Sequence, residues 1–306
     1  MGAHVRGVGT ALPERVVTND DLAATMDTSD DWIRERTGIR ERRVGGTTGQ
    51  LAIEAGAKAL ADAGVDPAEV DLLVLSTTTP DQRTPATSAA VHAGLGLRCG
   101  AFDVNAACAG FTYAWVAANG MMELPHGPRR VLVIGADALS TITDWTDRST
   151  AILFADAAGA VVLEHRPEPN LLGWDLGADG SLVPILYCDH GDTLKMEGRE
   201  VFKRAVRAVV ASVENALERA GLTPDDIDVL LPHQANIRII EAVCSRLGIP
   251  ADKTVNVIET TGNTSSATIP LCIDAARSAG VLHEGRIVCM TGFGAGMTWA
   301  TTVVRW

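Results

Sequence analysis

An internal repeat constrains this chain more than any other feature of its sequence. The segment KALADAGVDPAEVDLLVLS, which begins at Lys58, aligns with NALERAGLTPDDIDVLLPH, which begins at Asn215, at an offset of 157. Seven of the fifteen positions from 59 to 73 are identical to their counterparts. Each copy has the pattern of a helix ended by Gly, a turn with Pro and a buried strand. Because the offset is close to half of the 306 residues, the repeat indicates that the chain is built from two similar halves.

A second pair of segments follows the same layout. The apolar strands RVLVIGA, from Arg130, and RIVCMTG, from Arg286, lie 156 residues apart, and each precedes a further β-rich run. We therefore predict an α/β fold of two pseudo-symmetric halves, residues 1–165 and 170–306, whose sheets pack with helices between and outside them. The Gly- and Asp-rich segment 173–198 is interpreted as a connecting loop region.

Charge and composition exclude several classes of function. A formal net charge of -12 argues against nonspecific binding to nucleic acid or to an anionic membrane, because most of the surface repels both. The chain has no long apolar run, and its first residues lack the layout of a secretory signal, so we expect a cytoplasmic protein. Six scattered cysteines without a CxxC pair, and seven histidines without HExxH spacing, predict neither a disulfide framework nor a metal site.

Cys108 is the candidate nucleophile. It lies in GAFDVNAACAGFTYAWVAANGMME, where a strand-like start leads through small residues into a helical run. A thiol with an ordinary pKa of ~8.5 is only about 3% ionised at pH 7, and a helix N-terminus favours the anion by up to ~2 kcal/mol. The position therefore predicts a thiol that is about half-ionised at neutral pH without a neighbouring base. A small buried core cysteine is the alternative.

The repeat brings two further residues towards this turn. An offset of 157 carries Cys108 onto Ser265, in TTGNTSSATIPL, so we expect the loop that contains Asn263 to face the Cys108 turn. His233 follows the buried strand of DVLLPHQANIRII directly, which places its ring at the carboxyl end of that strand, where sites in α/β proteins gather. A histidine satisfied by a backbone group in the core is the alternative.

The sequence resembles the β-ketoacyl-acyl carrier protein synthase III family of thiolase-fold condensing enzymes along its whole length. Seven ordered segments carry the resemblance: DDWIRERTGIRERR, DVNAACAGF, TDRSTAILFADAAGAVVL, LKMEGREVFK, LPHQANIRII, GNTSSATIPL and GFGAGMTWA. The resemblance implies a decarboxylative condensation of an acyl-coenzyme A primer with malonyl-acyl carrier protein, which initiates fatty acid or related polyketide synthesis. Cys108 then carries the acyl group, and His233 and Asn263 drive decarboxylation.

Two fixed donors suit this chemistry, because loss of carbon dioxide from a malonyl thioester leaves an enolate oxygen. A histidine N–H and an asparagine amide supply them, and losing one such donor typically costs ~2.7 to 4 kcal/mol in the barrier. For acylation, the resemblance implies an oxyanion hole made by the backbone N–H groups of Cys108 and of Ala295. The family usually has Gly at the position of Ala295, so the chain departs from the pattern there.

The resemblance also implies which residues bind the substrates. No cofactor is expected, since acyl-coenzyme A is itself a substrate, and a homodimer is expected. The residues implied for coenzyme A are Thr28, Trp32, Arg36, Arg148 and Asn236. Those implied for the acyl carrier protein are Gln234, Ala235, Asn236, Ile237, Arg238 and Lys203, with Arg204 and Arg207 as further cations. Those implied for the acyl pocket are Thr84, Phe154, Met196 and Phe293. Thr84 stands where several members carry a bulky aromatic residue, which predicts a wider acyl channel.

Two other functions remain open from the sequence. A cysteine thioesterase or hydrolase uses the same order of Cys, His and Asn, but the chain lacks the CG[SA]C[WY] context of papain-like proteases. A noncatalytic partner subunit of the same fold would not need all three reactive residues. Within the family, general fatty acid synthesis and a specialised pathway are both compatible with the sequence.

Overall fold

The computed structural model describes residues 2–306. The strands are β1 (Gly2–Ala11), β2 (Val16–Thr18), β3 (Glu41–Arg43), β4 (Leu72–Ser76), β5 (Gly100–Val104), β6 (Arg130–Ala138), β7 (Asp156–Arg166), β8 (Leu171–Ala178), β9 (Leu186–Tyr187), β10 (Lys195–Met196), β11 (Val229–Pro232), β12 (Ile287–Gly294) and β13 (Thr298–Arg305). The α-helices are α1 (Asn19–Ala23), α2 (Asp30–Thr37), α3 (Thr48–Ala63), α4 (Thr87–Leu95), α5 (Gly110–Met122), α6 (Arg148–Ala151), α7 (Gly198–Ala220), α8 (Ile237–Leu247), α9 (Ile258–Thr261) and α10 (Thr268–Ser278).

Two central sheets share one topology. The first has the strand order β1-β7-β6-β4-β5, and the second has the order β8-β13-β12-β11. In both sheets the first three strands pair antiparallel, and the remaining strands pair parallel. The second sheet has no full counterpart of β5, only an isolated bridge between Leu230 and Thr254.

Helices cover both faces of each sheet. The buried residues of α5 and α10, such as Phe111 and Ile269, pack with strands of both sheets in one core cluster between them. Helices α3 and α4 pack on the outer face of the first sheet, and α7 and α8 pack on the outer face of the second. The body therefore has five layers, and the predicted α/β fold of two pseudo-symmetric halves is confirmed.

The repeat found in the sequence corresponds to equivalent elements. Helix α3 ends at Gly64, a 3₁₀ turn covers Pro67–Glu69 and β4 follows; helix α7 ends at Gly221, a 3₁₀ turn covers Pro224–Asp226 and β11 follows. Both helices are long enough to cover a sheet, and α7 buries an apolar stripe at helical spacing against it. The two copies place β4 and β11 at equivalent positions in their sheets.

The interpretation of residues 173–198 as a connecting loop is wrong in part. Strand β8 runs through Leu171–Ala178 as the edge of the second sheet, and a 3₁₀ turn (Gly180–Ile185) with the β9–β10 hairpin follows. The segment is rich in Gly and Asp because it turns repeatedly, yet its apolar side chains cover a cavity described below. No helix among residues 2–306 is both long and apolar enough to span a bilayer.

Candidate active site

Cys108 lies at a strand-to-helix turn, as the sequence predicts. A 3₁₀ turn over Ala107–Ala109 follows β5 and leads directly into α5, and Cys108 is partly exposed to the cavity beside it. Its N–H belongs to the first turn, where backbone N–H groups have no partner within the helix. Gly294, at the end of β12, lies next to this N–H. A Cβ added to Gly294 would lie 2.4 Å from the Cys108 nitrogen. Only glycine therefore leaves the Cys108 amide open at this point.

The predicted half-ionisation of Cys108 is wrong for the resting thiol. Burial raises the pKa of the Cys108 thiol to about 12, the hydroxyl of Ser265 opposes the rise, and the charge of Asp137 adds to it. A helix N-terminus favours a thiolate by at most ~1.5 pKa units, which is less than the rise caused by burial. The resting thiol is therefore neutral, and a nearby base has to accept its proton.

His233 is buried directly after β11, with only 4% of its surface exposed. Its Nδ1 lies 2.8 Å from the hydroxyl of Thr268, which in turn donates to the carbonyl of Ser265 at 2.9 Å. A hydroxyl has one proton and a carbonyl can only accept. Both contacts are therefore satisfied together when His233 Nδ1 carries the proton, which leaves Nε2 unprotonated.

Burial also determines the charge of His233. It lowers the pKa of the imidazole to about 3, so the ring is neutral at physiological pH in the resting protein. The edge of the Phe293 ring meets the imidazole with centroids 5.6 Å apart. In the resting protein Nε2 is thus a proton acceptor, and it becomes the N–H donor expected from the sequence only after it takes up a proton.

Asn263 is held from both sides by the first half of the chain. Its N–H donates to the carbonyl of Leu153, and its carbonyl accepts from the N–H of Ala155, both at 2.9 Å. The side-chain oxygen accepts from the N–H of Ser265 at 2.9 Å. Since an N–H must meet the amide oxygen, the NH2 group of Asn263 is the part left to donate to a bound molecule.

The Asn263 loop is the counterpart of the Cys108 turn, with a shift of one residue. The 3₁₀ turn Ala107–Ala109 corresponds to the 3₁₀ turn Ser265–Ala267, an offset of 158. Cys108 therefore matches Ser266 and not Ser265 as predicted, because the second half has one more residue between its strand and its turn. The strands themselves keep the offset of 157.

Cys108, His233 and Asn263 line one cavity of about 980 Å³. Its inner walls are apolar and include Leu139, Ile152, Phe154 and Met196. The charged residues among its described walls are four cations and no carboxylate. They are Arg36, Arg199, Lys203 and Arg238. In a chain with a net charge of -12, this concentration of positive charge favours an anionic ligand with an apolar end.

Comparison with known proteins shows which family this chain belongs to. The profile described as 3-Oxoacyl-[acyl-carrier-protein (ACP)] synthase III matches residues 102–180, and its C terminal profile matches residues 217–306. The β-ketoacyl-[acyl-carrier-protein] synthase III of Geobacillus kaustophilus is 47% identical and matches 100% of this chain and 99% of its own length. The chain belongs to the synthase III family. It is thus a condensing enzyme of the acyltransferase class.

Solved structures of similar proteins agree with the fold. The synthase III of Aquifex aeolicus has a TM-score of 0.97 and 41% identity, and the match covers 100% of both chains. The priming β-ketosynthase of the R1128 polyketide pathway has a TM-score of 0.94 and 38% identity over 99% of this chain and 96% of its own. Membership of the synthase III family therefore does not choose between fatty acid and polyketide synthesis.

Three of the five residues predicted for coenzyme A line the cavity. The guanidinium carbons of Arg36 and Arg148 lie 4.3 and 4.6 Å from the centroid of the Trp32 ring, within the range of cation–π contacts. Trp32, Arg36 and Asn236 line the cavity; Arg148 and Thr28 do not. The hydroxyl of Thr28 is buried without a hydrogen-bond partner, so its predicted contact would need a local rearrangement.

The predicted carrier contacts need one correction. Gln234 is fully buried: its amide donates to the carbonyls of Pro232 and Val255, and its oxygen accepts from the N–H groups of Val257 and Ile258. It therefore joins two segments of the second half and cannot contact another protein. Ala235 is also buried, at 7% exposure, but lines the cavity.

The other predicted carrier contacts lie on or near the surface. Arg238 is exposed, and Asn236 and Ile237 are half-buried beside it at the start of α8. Lys203 is exposed on α7, where it donates to Glu200 at 2.8 Å. Of the further cations on that helix, Arg204 lies 4.0 Å from Glu200.

Three of the four predicted acyl-pocket residues line the cavity. They are Phe154, Met196 and Phe293, and Phe293 also packs against the ring of His233. Thr84 is exposed on the loop before α4 and does not line the cavity of its own chain. This position is compatible with the expected reach into a partner but does not test it.

Sequence reasoning missed three residues that support the site. Thr268 orients His233, Ser265 places a buried hydroxyl without a partner in the cavity wall, and Asp137 bonds the neighbouring Ser266. The run of hydroxyl residues after Asn263 was the available signal, because buried hydroxyls need partners. Nothing near Asp137 in the sequence indicates its partner, which lies 129 residues away.

Proposed function

We propose that this chain is a β-ketoacyl-acyl carrier protein synthase III that condenses an acyl-coenzyme A primer with malonyl-acyl carrier protein and initiates fatty acid synthesis. One observation carries the proposal: a neutral thiol, an unprotonated imidazole nitrogen and an amide NH2 meet in a cavity with cationic and apolar walls. These groups suffice for thioester exchange and decarboxylation, so we propose that no metal or cofactor takes part.

In the first half-reaction, the Cys108 sulfur attacks the carbonyl carbon of the primer thioester. His233 Nε2 accepts the thiol proton and passes it to the departing sulfur of coenzyme A, so the ring ends neutral as it began. The oxyanion that forms in between accepts from the backbone N–H groups of Cys108 and Ala295, which line the same cavity. The products are an acyl-Cys108 thioester and free coenzyme A.

In the second half-reaction, the malonyl carboxylate enters beside His233 and favours uptake of a proton from solvent at Nε2. The bond between the carboxylate and the methylene carbon breaks, and carbon dioxide leaves. The enolate oxygen accepts from His233 Nε2–H and from the NH2 group of Asn263. The carbanion attacks acyl-Cys108, the carbon–sulfur bond breaks, and the proton of His233 moves to the Cys108 sulfur.

The arrangement around Trp32 supports a site for the nucleotide end of coenzyme A. An adenine ring can replace one of the two guanidinium groups that flank the indole, and the displaced arginine can then bind phosphate. Asn236 lines the passage between this end and Cys108. Thr28 and Arg148 belong to the same proposed site.

Partners and assembly form part of the proposal. Arg238 and Lys203, at the cavity mouth, suit the acidic acyl carrier protein, and Asn236 and Ile237 lie beside them. We further propose a cytoplasmic homodimer without nucleic acid or membrane partners, with residues 1–165 carrying the nucleophile and residues 170–306 carrying His233 and Asn263. In such a dimer, the small side chain of Thr84 leaves the acyl channel wide enough for primers longer than acetyl.

The experiment that tests the function is intact-mass spectrometry after incubation with a panel of acyl-coenzyme A donors, followed by malonyl-acyl carrier protein. The wild-type protein should gain one acyl group and then release a ketoacyl product. Cys108→Ala should gain no acyl group, because the attacking sulfur is absent. Asn263→Ala should acylate normally and make about 100- to 1,000-fold less product, because one enolate donor is lost.

Each competing function gives a different outcome in the same experiment. Release of free acid from the acyl-protein indicates a thioesterase, and absence of any adduct indicates a noncatalytic subunit. Normal condensation by Asn263→Ala would contradict the role of that residue. Adducts confined to the acetyl donor would contradict the wide acyl channel.

A further inference from the structure

Asp137 is a fully buried carboxylate near the active site that the proposed reaction does not use. It lies at the end of β6, its side chain has no exposed surface, and none of the ion pairs among residues 2–306 includes it. A buried charge without a cation is costly unless hydrogen bonds satisfy it fully. Its bonds therefore indicate what it holds in place.

The two oxygens of Asp137 face opposite segments of the molecule. Oδ1 accepts from the N–H of Thr78 at 2.7 Å and from the hydroxyls of Thr77, Thr78 and Thr79 at 3.1, 2.9 and 3.3 Å. Oδ2 accepts from the N–H of Ser266 at 3.0 Å and from its hydroxyl at 2.6 Å. Asp137 thus joins the segment that follows β4 to the turn that follows Asn263.

The pseudo-symmetry of the fold shows what is special about this position. Strands β6 and β12 are related by the offset of 157, so Asp137 corresponds to Gly294, and the turns place Ser266 opposite Cys108. In one half, glycine leaves the N–H of Cys108 open. In the other half, the carboxylate of Asp137 occupies the equivalent N–H. The second turn is thereby closed to a ligand and tied to the first half.

We propose that Asp137 is a positioning residue for the condensation step, an inference that rests on the proposed function. The Asp137–Ser266 bonds hold the turn at Ser265–Ala267, and the N–H of Ser265 in that turn holds the side-chain oxygen of Asn263. The direction of the Asn263 NH2 group therefore depends on the Asp137 carboxylate. Acylation should depend on it less, because the Asp137 charge raises the pKa of the Cys108 thiol and its removal offsets part of any loss that follows from a shift of Ser265.

Asp137→Asn is the sharpest variant, because each carboxylate oxygen accepts from a backbone N–H. Whichever way the new amide is oriented, its NH2 group meets the N–H of Thr78 or that of Ser266 and repels it. The turn has to shift, and a shift of about 1 Å at a donor costs on the order of 10²-fold in rate. We expect condensation to fall about 10- to 100-fold and acylation to change less than about 3-fold.

The test measures the two half-reactions separately on the full-length protein. Rapid-quench mass spectrometry gives the rate of Cys108 acylation from acyl-coenzyme A, and preloaded acyl-protein mixed with malonyl-acyl carrier protein gives the rate of condensation. Asp175→Asn is the matched control, since Asp175 is also buried, at 5% exposure, but bonds Arg219 and Asn215 on the far side of the second sheet. This control should leave the ratio of the two rates unchanged.

Ser266→Ala keeps the inference testable if Asp137→Asn folds poorly. It removes the 2.6 Å bond from the Ser266 hydroxyl to Asp137 and leaves the bond from the Ser266 N–H. The condensation rate should therefore also fall, but by a smaller factor. An unchanged ratio in both variants, or an equal loss of both rates that follows the loss of thermal stability, would overturn the inference. If the wild-type protein acylates but makes no ketoacyl product, the proposed function fails instead.

Discussion

Cys108 and His233 are shaped by the same physical effect, which is burial at the floor of an apolar cavity. Burial raises the pKa of the thiol to about 12 and lowers the pKa of the imidazole to about 3. Both residues are therefore neutral at rest, and they do not form a stable ion pair. In the proposed reaction, the pair becomes reactive only when the sulfur attacks a thioester carbonyl while Nε2 accepts the thiol proton.

The depressed pKa of His233 predicts a pH-dependent stability. The unfolded histidine titrates near 6.5 and the folded one near 3, so the unfolded state binds more protons between these values. The stabilisation is present above pH 6.5 and is lost as the pH falls towards 3. From pH 8 to pH 5, we expect a loss of about 2 kcal/mol in the free energy of unfolding from this residue.

Urea unfolding of the wild type and of His233→Gln at both pH values measures this loss. The variant lacks the titrating ring, whereas all other groups titrate alike in the two proteins. The wild type should therefore lose about 2 kcal/mol more than the variant. Equal losses of unfolding free energy in the two proteins would mean that the pKa of His233 is not lowered in the folded state.

At the scale of elements, the segments that follow the strands contain the site residues and are joined to one another by hydrogen bonds. The connection from β11 to α8 contains His233 and also Gln234. Three of the four hydrogen bonds of Gln234 join it to residues 255–258, at the start of α9. That segment leads to Asn263. Gln234 thus links the two donors of the proposed decarboxylation through the backbone, a role different from the carrier contact expected from the sequence.

Gln234→Ala should destabilise the fold without weakening carrier binding. The change removes the acceptor of the Val257 and Ile258 N–H groups and the donor to the Pro232 carbonyl, at a cost of about 2 to 4 kcal/mol. Urea unfolding measures the stability, and the KM for malonyl-acyl carrier protein measures the contact. Ser278→Ala, at an exposed position at the end of α10, is the control. A selective rise in KM with unchanged stability would restore the original interpretation of Gln234.

At the scale of the whole molecule, charge is divided unevenly. The chain has a net charge of -12, yet its main cavity carries four arginine and lysine residues and no carboxylate among its described walls. Most of the surface repels an acidic carrier, and the cavity mouth attracts it. Such a pattern guides an anionic partner to one place and suppresses other contacts.

Charge reversal at Arg238 tests this pattern. Arg238→Glu should lower kcat/KM for malonyl-acyl carrier protein by about 10-fold at low ionic strength, and less at 0.5 M salt because of screening. Arg246→Glu makes the same change in net charge at the other end of α8 and should have little effect. Malonyl-pantetheine lacks the carrier surface, so its turnover should not distinguish the two variants. Equal losses in both variants would assign the effect to net charge alone.

Sequence periodicity and the internal repeat predicted the layered fold and the convergence of Cys108, His233 and Asn263. This was possible because equivalent strands end at the same edge of equivalent sheets, so an offset along the chain becomes a position in space. The same reasoning gave the wrong partner for Cys108 by one residue. A single extra residue before the turn changes the register of the turn alone, because β12 after it returns to the offset of 157.

The sequence by itself determined the fold class, the family and the three residues that meet in the cavity, because local patterns and segment order encode them. Only the tertiary structure decided the charge states of Cys108 and His233, the burial of Gln234 and the bonds of Asp137. Each of these depends on which atoms from distant segments exclude water or donate a proton at one point. Burial and hydrogen bonding of this kind are properties of the packed interior, so no local pattern of residues records them.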